Sequence, residues 1–168
     1  MANFRRLLVA VIGAVSLIGA GAVSVAAHDG GTLIEFDSMT PVTGAAVGAV
    51  NDRGITGGGK AWAITSGSGE VDRQGNVEVQ VTGLIIPALG KNPLGSFRAT
   101  VSCVTPHGVM NVTTDPATTT GASGDAMIQG KVALPHPCKD PIVFVVNGTA
   151  SAGGGFAWFA MSNIEGDD

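Results

Sequence analysis

Residues 97–104, with the sequence FRATVSCV, limit the possible folds of this chain more than any other stretch. Successive side chains of an extended strand point to opposite faces. Phe97, Ala99, Val101 and Cys103 would therefore share one face, and the polar residues between them would share the other. The segment predicts a half-buried strand whose last inward residue is a cysteine.

The N-terminal segment has the layout of a secretory signal. Arg5 and Arg6 precede an uncharged apolar stretch at residues 7–23, and small residues lead up to Ala27. Residues 7–27 would also be long enough to cross a thin bilayer, but their glycines make a poor anchor. We therefore expect residues 1–27 to be a signal peptide, residues 28–168 to be one domain, and no membrane span to remain after cleavage.

The chain has two cysteines, Cys103 and Cys138. In an exported protein a single pair of this kind most simply forms a disulfide bond. A catalytic or metal-binding pair is the alternative, but the two residues are far apart and form no CxxC motif. The sequence predicts one Cys103–Cys138 disulfide, with Cys138 in a proline-rich connection.

Turn signals and alternating apolar residues recur along the chain. There are 26 glycines and no tyrosine, and valine and threonine, which favour strands, are frequent. Val77, Val79 and Val81 give the clearest alternation. The sequence predicts an all-β fold, an antiparallel two-sheet sandwich of immunoglobulin-like or jelly-roll-like type, with a barrel as the alternative. The segments expected to extend include 32–36, 42–50, 76–82, 109–113, 127–134, 142–146 and 156–161, and the glycines at 57–59 are expected to form a mobile turn.

Charge and motif content exclude several classes of function. Arg5 and Arg6 are two of the nine basic residues, so the remainder of the chain carries seven against 13 acidic ones, a net charge of −6. The scattered cations do not suit a phosphate backbone, so no nucleic-acid partner is expected. The serines lack the GxSxG elbow of a hydrolase, and we assign no catalytic residue. The expected function is that of a secreted, non-catalytic binding or cell-envelope-associated module.

Two resemblances bear on this expectation. The segments RGITGGGKAW, VEVQVTGL, FRATVSCV and PIVFVV resemble those of small exported bacterial proteins of unassigned activity. If cleavage follows Ala27, His28 becomes the first residue, and its amine and imidazole would form a copper-binding pair. That start resembles copper-chaperone sandwiches and lytic polysaccharide monooxygenases. A copper-binding protein using His28, with His107 or His136 as a further ligand, is therefore the alternative function, and copper the only cofactor considered.

The tryptophans offer a different kind of site. Trp62 and Trp158, together with Phe156 and Phe159, could form an exposed platform on which the sugar rings of a surface glycan stack, or a contact for an envelope protein. Aromatic residues more commonly fill the core. Both interpretations stay open at the level of the sequence.

Overall fold

The computed structural model describes residues 31–151 and 154–163. Its regular elements are strands and three short 3₁₀ turns, so the predicted all-β class is confirmed. The predicted signal peptide and His28 lie outside the described residues. The strands are β1 (Thr32–Phe36), β2 (Met39–Pro41), β3 (Thr56–Gly57), β4 (Ser66–Asp72), β5 (Asn76–Thr82), β6 (Ser96–Thr105), β7 (Gly108–Thr113), β8 (Ala117–Thr118), β9 (Ala126–Lys131), β10 (Lys139–Asn147) and β11 (Ala157–Ser162).

The strands form two sheets. The four-stranded sheet has the order β1-β4-β5-β9, and all its pairs are antiparallel. The seven-stranded sheet has the order β2-β11-β10-β6-β7, with β8 paired to β6 and the short β3 paired in parallel to β11. Because each sheet turns one apolar face towards the other, the architecture is the predicted sandwich.

The core lies between the two inner faces. Val77, Val79 and Val81 of β5 are buried in it, as their alternation predicts. Phe97 of β6 is fully buried and packs edge-on to Trp62, which in turn stacks on Phe159 with ring centroids 4.2 Å apart. This ring cluster fills part of the interior with large apolar groups.

The disulfide forms as predicted, within one sheet. Cys103 near the end of β6 is bonded to Cys138, which directly precedes β10, and their Cα atoms are 4.9 Å apart. β6 and β10 are neighbours, with Lys139 paired to Val104. In immunoglobulin domains the corresponding bond links the two sheets. Here it fastens the end of a single strand pair.

A third layer covers the outer face of the seven-stranded sheet. We call residues 48–56 the covering loop. Thr56 pairs with Ala157 at the β11 edge, and the carbonyl of Arg53 accepts a hydrogen bond from the Asn111 side chain on β7 at the opposite edge. The loop therefore crosses the sheet. Its turn is held by Asn51, whose Oδ1 accepts 3.0 Å hydrogen bonds from the backbone N–H groups of Arg53 and Ile55.

Two predictions for this region are wrong. Residues 42–50 do not extend, because Gly44–Ala46 forms a 3₁₀ turn. Gly57 and Gly58 do not form a mobile turn either: both are buried beside β11. A Cβ on Gly57 would collide with the Ala46 carbonyl oxygen, and one on Gly58 would lie 2.9 Å from the Phe159 ring. These glycines permit close packing.

Within residues 31–151 and 154–163, no helix has the length and apolar character needed to cross a membrane.

Candidate functional site

A small pocket opens between the covering loop and the outer face of the seven-stranded sheet. Its volume is about 280 Å³. It is lined by residues of the covering loop, of the β6–β7 pair and of the segment before β11, namely Gly54, Ile55, Thr56, Thr100, Asn111, Thr113, Gly155 and Phe156. We call it the sheet pocket. None of these residues is charged, so the pocket presents hydroxyl, amide and apolar groups.

Two of the three hydroxyl groups of the sheet pocket come from directly paired residues. Thr100 on β6 lies opposite Thr113 on β7, and their Oγ1 atoms are 2.8 Å apart in a hydrogen bond. Thr100 is buried, whereas Thr113 is half-buried. The exposed Asn111, two residues before Thr113 on the same face, donates its Nδ2 to the Arg53 carbonyl at 2.9 Å. The Oδ1 atom of Asn111 is therefore available to accept a hydrogen bond from a ligand.

Phe156 supplies the one aromatic ring of the sheet pocket. The Arg98 guanidinium lies over this ring, with its carbon 5.3 Å from the centroid. Arg98 is itself fixed by two 2.8 Å hydrogen bonds, from Nε to the Gly148 carbonyl and from Nη1 to the Thr114 carbonyl. A cation held over a ring face restrains the ring. The half-buried Phe156 is therefore positioned before any ligand arrives.

The same layer contains three buried polar atoms that no described residue satisfies. They are Arg53 Nη1, Ser102 Oγ and Trp158 Nε1. Arg53 precedes Gly54 of the sheet pocket, and Ser102 follows Thr100 on the outer face of β6. Trp158 is on this face because it packs edge-on against Phe144, which lies opposite Thr100. Buried polar atoms are normally paired, and these three are the exceptions among the described residues.

A broader groove lies on the outer face of the four-stranded sheet, with a volume of about 820 Å³. Glu35, Glu70 and Glu78 face one another directly across β1, β4 and β5. Glu70 accepts a hydrogen bond from Thr32 and Glu78 one from Gln129, and neither forms an ion pair within the described residues. Like charges directly opposite on a sheet destabilise it. The described residues include no group of three or more metal-ligating side chains suited to a metal ion.

Ser123 and Asp125 form a turn. The Ser123 hydroxyl donates to Asp125 Oδ2 at 2.9 Å, and Oδ1 of Asp125 accepts from the Gly83 backbone N–H at 2.7 Å. The hydrogen bond from Gly83, and then that from Ser123, lower the pKa of Asp125 below its ordinary value. The lowered pKa makes the Asp125 carboxylate a weak base for activating the Ser123 hydroxyl as a nucleophile.

Both tryptophans lie in the interior. Trp62 is 3% exposed within the ring cluster, and Trp158 is 4% exposed beneath the covering loop. They do not form the exposed stacking platform that the sequence left open. The reasons differ: Trp62 stacks on Phe159 in the core between the sheets, whereas Trp158 packs against Phe144 on the outer face, which alternation alone presents as exposed to solvent.

The histidines are placed as follows. His107 is exposed in the two-residue turn between β6 and β7, and His136 is exposed in the connection before Cys138. Both are therefore close in sequence to the disulfide that joins Cys103 and Cys138. His28 lies outside the described residues, so the copper site stays a prediction.

The sequence drew attention to Phe156 only as part of a platform, and it missed Thr100 and Thr113 as site residues. Their signal is the polar alternation of β6 and β7. That alternation indicates a solvent-facing surface, and only the covering loop converts it into the wall of a pocket.

No protein-family model, curated protein or solved structure matches this chain.

Proposed function

We propose that this protein is an exported, non-catalytic binding module whose ligand is a neutral sugar unit of a cell-surface or envelope glycan, bound in the sheet pocket. The observation that carries the proposal is the lining of that pocket, which combines hydroxyl and amide groups with one restrained aromatic ring and no charge. Neutral polar groups match the hydroxyls of a sugar, and the ring matches its apolar C–H face.

The size and position of the pocket support this ligand class. At about 280 Å³ it lies just below the range of roughly 300–1,000 Å³ typical of sites for drug-sized molecules, so it suits a small ligand. Ile55 and Thr100 are its buried residues, and Thr56, Asn111 and Gly155 are exposed. The terminal unit of a longer chain would therefore enter while the rest of the glycan stays in solvent.

The proposed export rests on two further features. The disulfide is typical of proteins that fold outside the cytoplasm. The first 27 residues have the layout of a secretory signal. N-terminal sequencing of the protein from its culture would test this part, and a mature protein that retains residues 1–27 would contradict it.

The binding site is tested by titrating neutral mono- and disaccharides into the protein and following NMR amide shifts. We expect shifts confined to the sheet pocket. Phe156→Ala and Asn111→Ala should each weaken binding about tenfold or more, since each removes a main contact. Leu89→Ala and Gln80→Ala are matched controls on exposed side chains outside the pocket. The absence of saccharide shifts, or equal binding by all four variants, would refute the proposal.

Copper binding through His28 is the alternative function. It predicts that the processed protein, reconstituted with Cu²⁺ and dialysed, retains one equivalent of metal, and that His28→Ala abolishes retention. The observation that favours testing it is the placement of two exposed histidines, His107 and His136, near the disulfide. A mature N-terminus elsewhere, or no retained copper, would remove it.

A further inference from the structure

The β7 strand forms an edge of the seven-stranded sheet that lacks the usual protection. Edge strands normally carry a charge, a proline, a bulge or a very short length, because their free N–H and C=O groups can pair with another chain. β7 has six residues, GVMNVT, with none of these features. Val109 and Met110 on it are 41% and 47% exposed, among the most exposed large apolar residues described.

The other edges are protected. β1 contains Glu35 and a register shift between Thr32 and Ile34. β9 contains Lys131, and β2 has three residues that end in Pro41. β7 is therefore the edge at which pairing with another strand meets the least resistance.

The register of β7 defines which of its backbone groups are free. A two-residue turn joins Thr105 to Gly108, so these two form a hydrogen-bonded pair, and such pairs alternate along the ladder. The backbone bond from Thr114 N–H to the Ala99 carbonyl agrees with this alternation. Val109, Asn111 and Thr113 therefore turn their N–H and C=O groups away from β6.

We propose that the protein forms a dimer in which β7 pairs antiparallel with β7 of a second copy, about a two-fold axis at Asn111. This register uses all three sets of free backbone groups, pairing Asn111 with Asn111 and Val109 with Thr113 of the other copy. It places Met110 opposite Val112, so that apolar side chains meet on the inner side. The two seven-stranded sheets become one continuous sheet.

A second copy is the occupant because the strand complements itself. With no charge between residues 108 and 113, self-pairing sets no like charges opposite each other. β1 and β9 each carry a charged residue, Glu35 and Lys131, that pairing with another strand would have to accommodate. Beyond both ends of the strand, the same register brings the exposed Asp115 of one copy towards the exposed His107 of the other. The carboxylate of Asp115 would then face an imidazole that can donate a hydrogen bond.

Sedimentation equilibrium of the disulfide-bonded protein from micromolar to millimolar concentration tests the dimer. We expect the wild-type protein to dimerise and Met110→Lys to weaken dimerisation at least about tenfold, because the lysine must lose water beside Val112. Met127→Lys is the matched control, since Met127 is 45% exposed on the β9 edge. Phe156→Ala alters the sheet pocket and not the β7 edge, so this variant should dimerise like the wild-type protein. Loss of dimerisation and loss of saccharide binding can therefore be observed separately.

Cross-linking tests the register independently. At the two-fold axis, Asn111→Cys brings two thiols onto one hydrogen-bonded pair, where Cα atoms are about 5.5 Å apart and a disulfide can form. Val109→Cys places its thiols opposite Thr113 and should cross-link poorly. A wild-type protein that stays monomeric at millimolar concentration, or a Val109→Cys variant that cross-links as well as Asn111→Cys, would overturn the proposal.

Discussion

Removing the disulfide gives the sharpest test of how this sandwich is stabilised. The proposed change is the double variant Cys103→Ala, Cys138→Ala. The bond closes a loop with a sequence separation of 35 that contains β7, β8 and β9. On the chain-entropy model, a loop of this length restricts the unfolded chain by about 4 kcal/mol. Since Cys103 is fully buried, the small void left by its sulfur adds up to about 1 kcal/mol.

The expected loss is large for a chain of this size. Domains are typically stable by about 5–15 kcal/mol, so the variant should lose about a quarter or more of its free energy of unfolding. Urea unfolding followed by tryptophan fluorescence is the appropriate assay, because both Trp62 and Trp158 are buried in the folded protein. The midpoint should fall, and the slope m should rise, since an unfolded chain without the cross-link exposes more surface.

The slope m separates the contribution of loop closure to stability from the contribution of packing around the sulfur. A lost packing contact lowers the midpoint and leaves m unchanged, whereas a lost cross-link changes both. Reducing the wild-type protein with dithiothreitol is the matched control, because it opens the same loop without removing either sulfur. A loss below about 1 kcal/mol with an unchanged slope would refute the reasoning that loop closure stabilises this fold.

Three further outcomes are expected. Phe97→Ala should cost about 3–5 kcal/mol in urea unfolding, because a fully buried ring is removed from the ring cluster; a cost below about 1 kcal/mol would contradict that packing. Asp72→Ala should cost about 1–3 kcal/mol, because the backbone N–H groups of Gln74 and Asn76 in the β4–β5 turn lose their acceptor, and an unchanged midpoint would exclude this role. The lowered pKa of Asp125 means that its stabilising effect is complete above its ordinary value of 3.8 and is lost as the pH falls through the lower folded value. NMR titration should show that pKa rising towards 3.8 in Ser123→Ala, and no change would contradict the assigned hydrogen bond.

The sequence was sufficient for the class of fold and for much of the core. Alternation placed Val77, Val79 and Val81 inside, and β1 and β5 have the predicted bounds, because a period of two is a local property of the strand. The pairing of Cys103 with Cys138 also followed from the sequence, since two cysteines allow only one intramolecular bond. The alternation depends only on residues that are neighbours in sequence, and the disulfide pairing depends only on the number of cysteines.

The tertiary structure alone decided the outer layer and the site. Nothing in the alternation of β6 indicates that the outward Thr100 is buried, because Gly54, Ile55 and Thr56, which line the same pocket, come from a loop far earlier in the chain. Gly57 and Gly58 read as a turn for a similar reason: the atoms that forbid a side chain there belong to Ala46 and Phe159, which lie outside that stretch of sequence. Which edge stays open is likewise fixed by strand order, and strand order is set by long-range pairing that local sequence patterns do not encode.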